Sequence, residues 1–195
     1  RIEIDATANS AEQIEQRQAT DSLHIVNESA RAFFADHLFN RTEGRQIGLS
    51  YFKERGFLES TIKKWQLGYA LEERDAFTRK ALEKKYNIDH MRSVGLTTQN
   101  DIDFFRSRVM FTIHNISGKV VGFGGRTLSA DKKIPKYINS PESEIYNKRA
   151  VLFGLFFAKE SIRKLDECIL VEGYTDVITL HQGKIENVVA ASGTS

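Results

Sequence analysis

The chain has 195 residues, 41% hydrophobic, 10% aromatic and 28% charged, with a net charge of +2; that is enough for one domain or two small ones with a real core, and it excludes global disorder. Its longest apolar run, Ala150–Ala158, is far short of the roughly 20 residues a bilayer span needs, so no membrane contact is expected and the simplest compartment is the cytoplasm. A lone cysteine, Cys168, excludes an internal disulfide framework and a cysteine-ligated zinc site. Ser10 to about Phe39 holds no Gly or Pro, and Ile14, Leu23, Val26, Ala30, Phe33, Phe34 and Leu38 recur at helical spacing, which predicts one long helix. Asn40–Gly48 reads as a polar break. A short helix over Gly48–Arg55, with Tyr51 and Phe52 as its apolar residues, ends at Gly56. Ser60 is a candidate cap for a helix over Thr61–Gln66. Glu72–Tyr86 and Ile88–Val94 read as further helices, the second closed by Gly95.

The period then changes. Arg108-Val-Met-Phe-Thr-Ile-His114 and Lys119-Val-Val-Gly-Phe-Gly-Gly-Arg-Thr127 flank an Asn115–Gly118 turn that ends in glycine, which predicts a β-hairpin. Ser129–Lys133 is a polar loop, Pro135–Pro141 an extended stretch, and Phe153–Leu165 a candidate helix. Glu167–Val171 reads as a strand buried on both faces, because its apolar residues run without alternation. Gly173, a helix carrying Val177, Ile178 and Leu180, a stop at Gly183 and a second buried strand at Asn187–Ala191 complete a βαβ unit, hence a parallel sheet. The predicted fold class is α+β. A helical, hairpin-containing α/β subdomain takes residues 1–165, and the opening βαβ of a parallel α/β sheet takes 166–195. The chain starts at Arg1 rather than Met and stops at Ser195 inside an apolar pattern, so it reads as an excerpt of something longer.

Two places could carry chemistry. Glu172 directly follows the first strand of the βαβ unit, and Asp176 lies in the first turn of its helix. Ligands gather at the carboxyl ends of parallel strands, and two carboxylates there suit a hard cation such as Mg²⁺. The same residues also fit a solvated Glu and an Asp favoured by the helix N-terminus. The second place is basic. Between Asp101 and Ala150 nine basic residues (Arg106, Arg108, Lys119, Arg126, Lys132, Lys133, Lys136, Lys148, Arg149) face five acidic ones (Asp101, Asp103, Asp131, Glu142, Glu144). This excess fits an anionic partner, and it also fits an ordinary solvated face. Gly122, Gly124 and Gly125 leave the strand bare, which would let a polyanion approach beside Arg126. Arg106, Arg108, Lys136 and Tyr137 add cations and a ring of the kind that holds single strands. Arg55 fits either phosphate or its own helix's carbonyls. His114 and His181 lack companion ligands, Cys168 reads as a small core residue, and Trp65, Leu67 and Tyr69 as a hydrophobic cluster.

Several stretches together resemble one family. Phe105–Ile113, Val121-Gly-Phe-Gly-Gly-Arg126 and Pro135-Lys-Tyr-Ile-Asn-Ser-Pro-Glu142 are similar to successive motifs of DnaG-type bacterial DNA primases. Ile169-Leu-Val-Glu-Gly-Tyr-Thr-Asp-Val177 resembles the first motif of their Toprim fold, Ala191–Ser195 its continuation, and Tyr51–Tyr69 their helical stretch. The resemblance implies the front of an RNA polymerase domain that makes short RNA primers on single-stranded DNA from ribonucleoside triphosphates. It implies Glu172 as the essential acidic residue, Asp176 as its companion near two Mg²⁺ or Mn²⁺ ions, and Arg55, Arg126, Lys136 and Tyr137 on template or nucleotide, with Arg106 and Arg108 in the same basic motif. It places Zn²⁺ in a separate N-terminal domain and a replicative-helicase contact in a separate C-terminal one. The family's Asp-x-Asp metal pair would fall beyond Ser195, so the chain by itself is not expected to make primers. A Toprim nuclease or topoisomerase, needing a nucleophile such as tyrosine over the carboxylates, and a non-catalytic single-strand-binding module are the alternatives.

Overall fold

The computed structural model describes residues 11–191. The segment Ala191–Ser195 singled out above therefore lies, after its first residue, outside the described residues, as does Ser10. Helix α1 runs from Ala11 to Asn40. Leu23, Val26, Ala30, Phe34 and Leu38 form its buried stripe, spaced three or four apart as one face of a helix requires.

The expected break at Asn40–Gly48 is instead helical: a π-helical segment, Gly44–Leu49, leads directly into α2, Ser50–Glu54. Gly44 is a packing residue, because a Cβ there would run into the His37 carbonyl. Helix α3, Glu59–Lys64, starts earlier than expected, and Ser60 does not cap it. Leu58 holds the cap position, where its N–H donates to Gln182 Oε1 at 3.0 Å while Gln182 Nε2 donates to the Gly56 carbonyl at 2.9 Å. Strand β1, Gly68–Ala70, follows. Helix α4 covers only Ala76–Glu83, its start satisfied from outside: Asp103 accepts from the Phe77 and Thr78 N–H groups at 2.8 and 2.9 Å. Helix α5, Ile88–Ser93, is capped by Asn87, whose side chain accepts from Asp89 N–H.

Strands β2 (Arg108–His114) and β3 (Val120–Thr127) form the expected hairpin, and β4 (Tyr137–Asn139) extends it. The first sheet is antiparallel in the order β1-β2-β3-β4, with Arg126 opposite Tyr137 and Gly124 opposite Asn139. Next come β5 (Leu152–Phe153), α6 (Leu155–Leu165), β6 (Ile169–Val171), α7 (Tyr174–Gln182) and β7 (Val188–Ala191). The expected parallel pair is present, Ile169 opposite Val188, but the sequence did not announce β5, which pairs antiparallel to β7 and gives the order β5-β7-β6.

Strand β6 corrects the expectation of two buried faces. Leu170 is 66% exposed, and Cys168, expected in the core, is exposed as well. Among the described residues β6 is hydrogen-bonded on one side only, to β7, whereas β7, between β5 and β6, buries Val188, Val189 and Ala190 completely. One hydrophobic cluster ties the two sheets together, with Trp65 5.4 Å from Phe153 and Tyr174 4.4 Å from Phe153, centroid to centroid. The cluster read at Trp65, Leu67 and Tyr69 is buried as expected. The fold is α+β.

Candidate nucleic-acid interface

Helix α2 sets Tyr51 one turn before Arg55, and residues four apart share a helix face. The Arg55 guanidinium accordingly lies over the Tyr51 ring, 5.3 Å from its centroid. Arg126 arrives from β3 at 4.6 Å from the same ring. Arg126 faces Tyr137 across the β3–β4 ladder, and Tyr137 is 40% exposed. Partial burial pushes the Tyr137 phenol up from its ordinary value and the Tyr51 phenol adds to this, while Arg126 and Arg55 oppose it. Three of the sequence-predicted residues, Arg55, Arg126 and Tyr137, thus fall in one patch, and Lys136 lines the groove beside it.

Beside that patch runs a groove of about 660 Å³. One wall is Gln46, Ile47, Ser50, Tyr51 and Glu54; the other is Arg126 and the β3–β4 loop through Lys136. A second cavity of about 570 Å³ is lined by Tyr137, Asn139, Leu170, Val171, Glu172, Gly173, Tyr174 and Ala191. Lys136 lines the first and Tyr137 the second, so one step along the chain separates the basic groove from the strand end that carries Glu172.

Glu172 is exposed at that strand end. Asp176 is exposed in the first turn of α7, folded back so that a Cβ on Gly173 would lie 2.8 Å from Asp176 Oδ2. Both carboxylates therefore gather at one end of β6. Their hard oxygen donors match Mg²⁺, which takes one or two protein carboxylates and keeps several waters. Among the described residues no group of three or more His, Cys, Asp or Glu side chains could hold a metal, so the two supply a partial ligand set only.

Two expectations change. Arg108 is 6% exposed, and its Nη1 donates to the carbonyls of Gly125, Pro135 and Lys136 at 3.2, 3.0 and 3.4 Å. Burial pulls its guanidinium below the ordinary arginine value. It fastens the base of the β3–β4 loop and is not available to a strand in the groove. The glycines of β3 do not bare a surface either: Gly122, Gly124 and Gly125 make room for Tyr146, Tyr174 and Phe105 of the chain's own core. Arg106 is exposed before β2 but lines neither cavity. Tyr51 was missed. Its i, i+4 spacing to Arg55 is visible in the sequence, whereas its contact with Arg126 depends on the tertiary fold.

The profile of the DNA primase catalytic core, N-terminal domain, matches residues 33–159. The chain belongs to this family. Among DNA primases, that of Staphylococcus aureus (strain COL) is 40% identical over 202 residues, taking in 99% of this chain and 32% of the relative. The chain therefore spans about a third of the length of the curated primases it matches. The RNA polymerase domain of the Mycobacterium tuberculosis primase DnaG superposes with a TM-score of 0.84 at 33% identity, over 90% of this chain and 57% of that one. A DnaG primase catalytic domain bound to single-stranded DNA gives 0.79 at 32% identity, over 92% and 58%. The primase resemblance carried by the motifs is borne out. No helix among the described residues is long and apolar enough to cross a membrane.

Proposed function

We propose that this chain is the template-holding front of a DNA-dependent RNA polymerase, a primase that makes short RNA primers on single-stranded DNA by metal-dependent nucleotidyl transfer. The supporting observation is the adjacency of the Arg126–Lys136 groove to the Glu172 strand end through Tyr137. On this reading Arg55, Arg126 and Lys136 neutralise backbone phosphates, and the exposed ring of Tyr137 gives a base a stacking face at the mouth of the second cavity. Arg106 stands at the margin as a long-range attraction, and Arg108 keeps the loop that presents Lys136 and Tyr137 in place. Ribonucleoside triphosphates would meet the template at Glu172 and Asp176.

Those two carboxylates would hold divalent ions, which when bound neutralise the phosphate charge that builds up during phosphoryl transfer. Glu172 and Asp176 keep the strand end anionic, and Asp176 is stabilised where it stands by the N-terminus of α7. Residues 1–165 would form the α/β subdomain and 166–195 the start of Toprim. Zn²⁺ and the replicative-helicase contact would belong to other domains of the family.

The test is fluorescence anisotropy of a labelled single-stranded DNA titrated with the chain at several salt concentrations, beside an Arg126→Ala/Lys136→Ala double variant. Each phosphate contact on a single strand contributes about 0.7 to the slope of log K against log salt, so losing two should flatten it by about 1.4. A variant with the wild-type affinity and slope would sink the groove.

A further inference from the structure

We propose that Tyr51 is a positioning residue that orders Arg55 and Arg126 as a pair for the template strand, an inference that rests on the groove reading above. Both guanidiniums lie against one ring, at 5.3 and 4.6 Å from its centroid. Among the described residues neither arginine makes an ion pair or a side-chain hydrogen bond, and Arg126 Nε is buried with no partner. Two like charges held this close repel each other, and long arginine side chains lose rotamer freedom when fixed. Something must offset both. A carboxylate could, but it would cancel the charge and take up the N–H fork that phosphate needs. An aromatic face attracts a guanidinium through its quadrupole and leaves charge and donors in place.

The hydroxyl is not what does this. Tyr51 Oη is buried with no hydrogen-bond partner among the described residues, so the ring alone carries the role. Tyr51 also lines the groove wall, and the ring that orders the arginines is thus part of the surface they serve.

The experiment compares Tyr51→Phe, Tyr51→Leu and Arg126→Ala with the wild-type chain by two readouts. The first is anisotropy with labelled single-stranded DNA across salt. The second is the NMR shift of the Arg55 and Arg126 Nε–H protons, which ring currents move upfield over an aromatic face. Tyr51→Leu should bind about three- to tenfold more weakly with its salt slope kept, since no charge is lost, and with both Nε–H shifts returned downfield. Tyr51→Phe should match wild type in both readouts, a rescue that general loosening would not give, and thermal melting checks that each variant is folded. Arg126→Ala should lower the slope by about 0.7. Wild-type affinity in Tyr51→Leu beside a weakened Arg126→Ala overturns this inference alone. So does a Tyr51→Phe variant as weak as Tyr51→Leu, or wild-type Nε–H protons without upfield shifts. A wild-type chain that binds no single-stranded DNA at low salt overturns the groove reading, and this role for Tyr51 falls with it.

Discussion

Gly124 seats the ring of Tyr174: a Cβ on the glycine would come within 2.4 Å of Tyr174 Cε2. The Tyr174 hydroxyl donates to Asn139 Oδ1 at 3.0 Å, and Asn139 is the residue paired with Gly124 across β3–β4. The first residue of α7 is thereby docked on the first sheet, and the Glu172 strand end is held beside Tyr137. Gly124→Ala should cost about 1–3 kcal/mol, the usual penalty for overpacking a close contact. Urea unfolding should show a lower midpoint at unchanged m-value. An unshifted midpoint would mean the ring yields freely and does not fix α7.

Arg108 and Arg126 lie on paired strands yet should respond differently. Arg108 shares one nitrogen, Nη1, among three carbonyls under the β3–β4 loop, a set worth about as much as one hydrogen bond from a charged donor, about 1.5–3 kcal/mol. Arg108→Met should therefore lower stability by about 2–3 kcal/mol while leaving the salt slope of single-strand binding unchanged. A slope lowered by about 0.7, the signature of one lost phosphate contact, would return Arg108 to the groove.

That contrast marks how far sequence carries. The hairpin was legible almost to the residue, because two short apolar runs flanking an Asn-to-Gly turn leave few alternatives. The βαβ unit was legible from its glycines and apolar runs. Which side chains face water was not. An apolar run such as Ile169–Val171 cannot distinguish an edge strand from a central one, and pairing decides that. The basic motif holds Arg106, Arg108 and Arg126 with equal charge, but only the fold buries one, exposes another and stacks the third on Tyr51. Strand β5 is two residues long, too short for any period, and the cap of α3 comes from Gln182, which is 124 positions beyond Leu58. The β3 glycines looked like an open approach because the residues that fill the space, Phe105, Ser140, Tyr146 and Tyr174, are brought there only by the tertiary fold.

Acid should weaken the fold through a histidine away from the groove. His114 is 6% exposed, its Nε2 donates to Gln66 Oε1 at 2.8 Å, and burial with Arg31 nearby holds the imidazole down to about 4. Its unfolded value is near 6.5, so between pH 6.5 and 4 the unfolded chain binds the proton more readily. The stabilisation is complete above pH 6.5, is lost as pH falls towards 4, and levels off below that, about 3 kcal/mol in total. His37 and His181 are also lowered by burial and act in the same direction. Burial raises the Asp103 carboxyl, which acts in the opposite direction above its ordinary value. Urea unfolding at pH 7 and pH 4.5 should show the loss, and His114→Gln should remove the largest share of it. An equally steep pH dependence in that variant would move the effect to the other histidines.

Glu172 and Asp176 should separate stability from chemistry. Glu172 is exposed and makes no ion pair among the described residues, so Glu172→Gln should leave unfolding within about 0.5 kcal/mol of wild type. Asp176 sits in the first turn of α7, where a negative charge is worth about 0.3–1 kcal/mol, so Asp176→Asn should be the less stable of the two. Neither change removes a cation from the groove, so single-strand affinity should hold or rise slightly as nearby negative charge is lost. In the full-length protein, primer synthesis should fall at least about a hundredfold in Glu172→Gln, because an amide cannot supply the anionic oxygen that a divalent ion takes up. Template binding and primer yield, measured on the same preparation, decide the assignment. Near-normal synthesis would remove Glu172 from the chemistry, whereas weakened binding with no other change would make it part of the template surface.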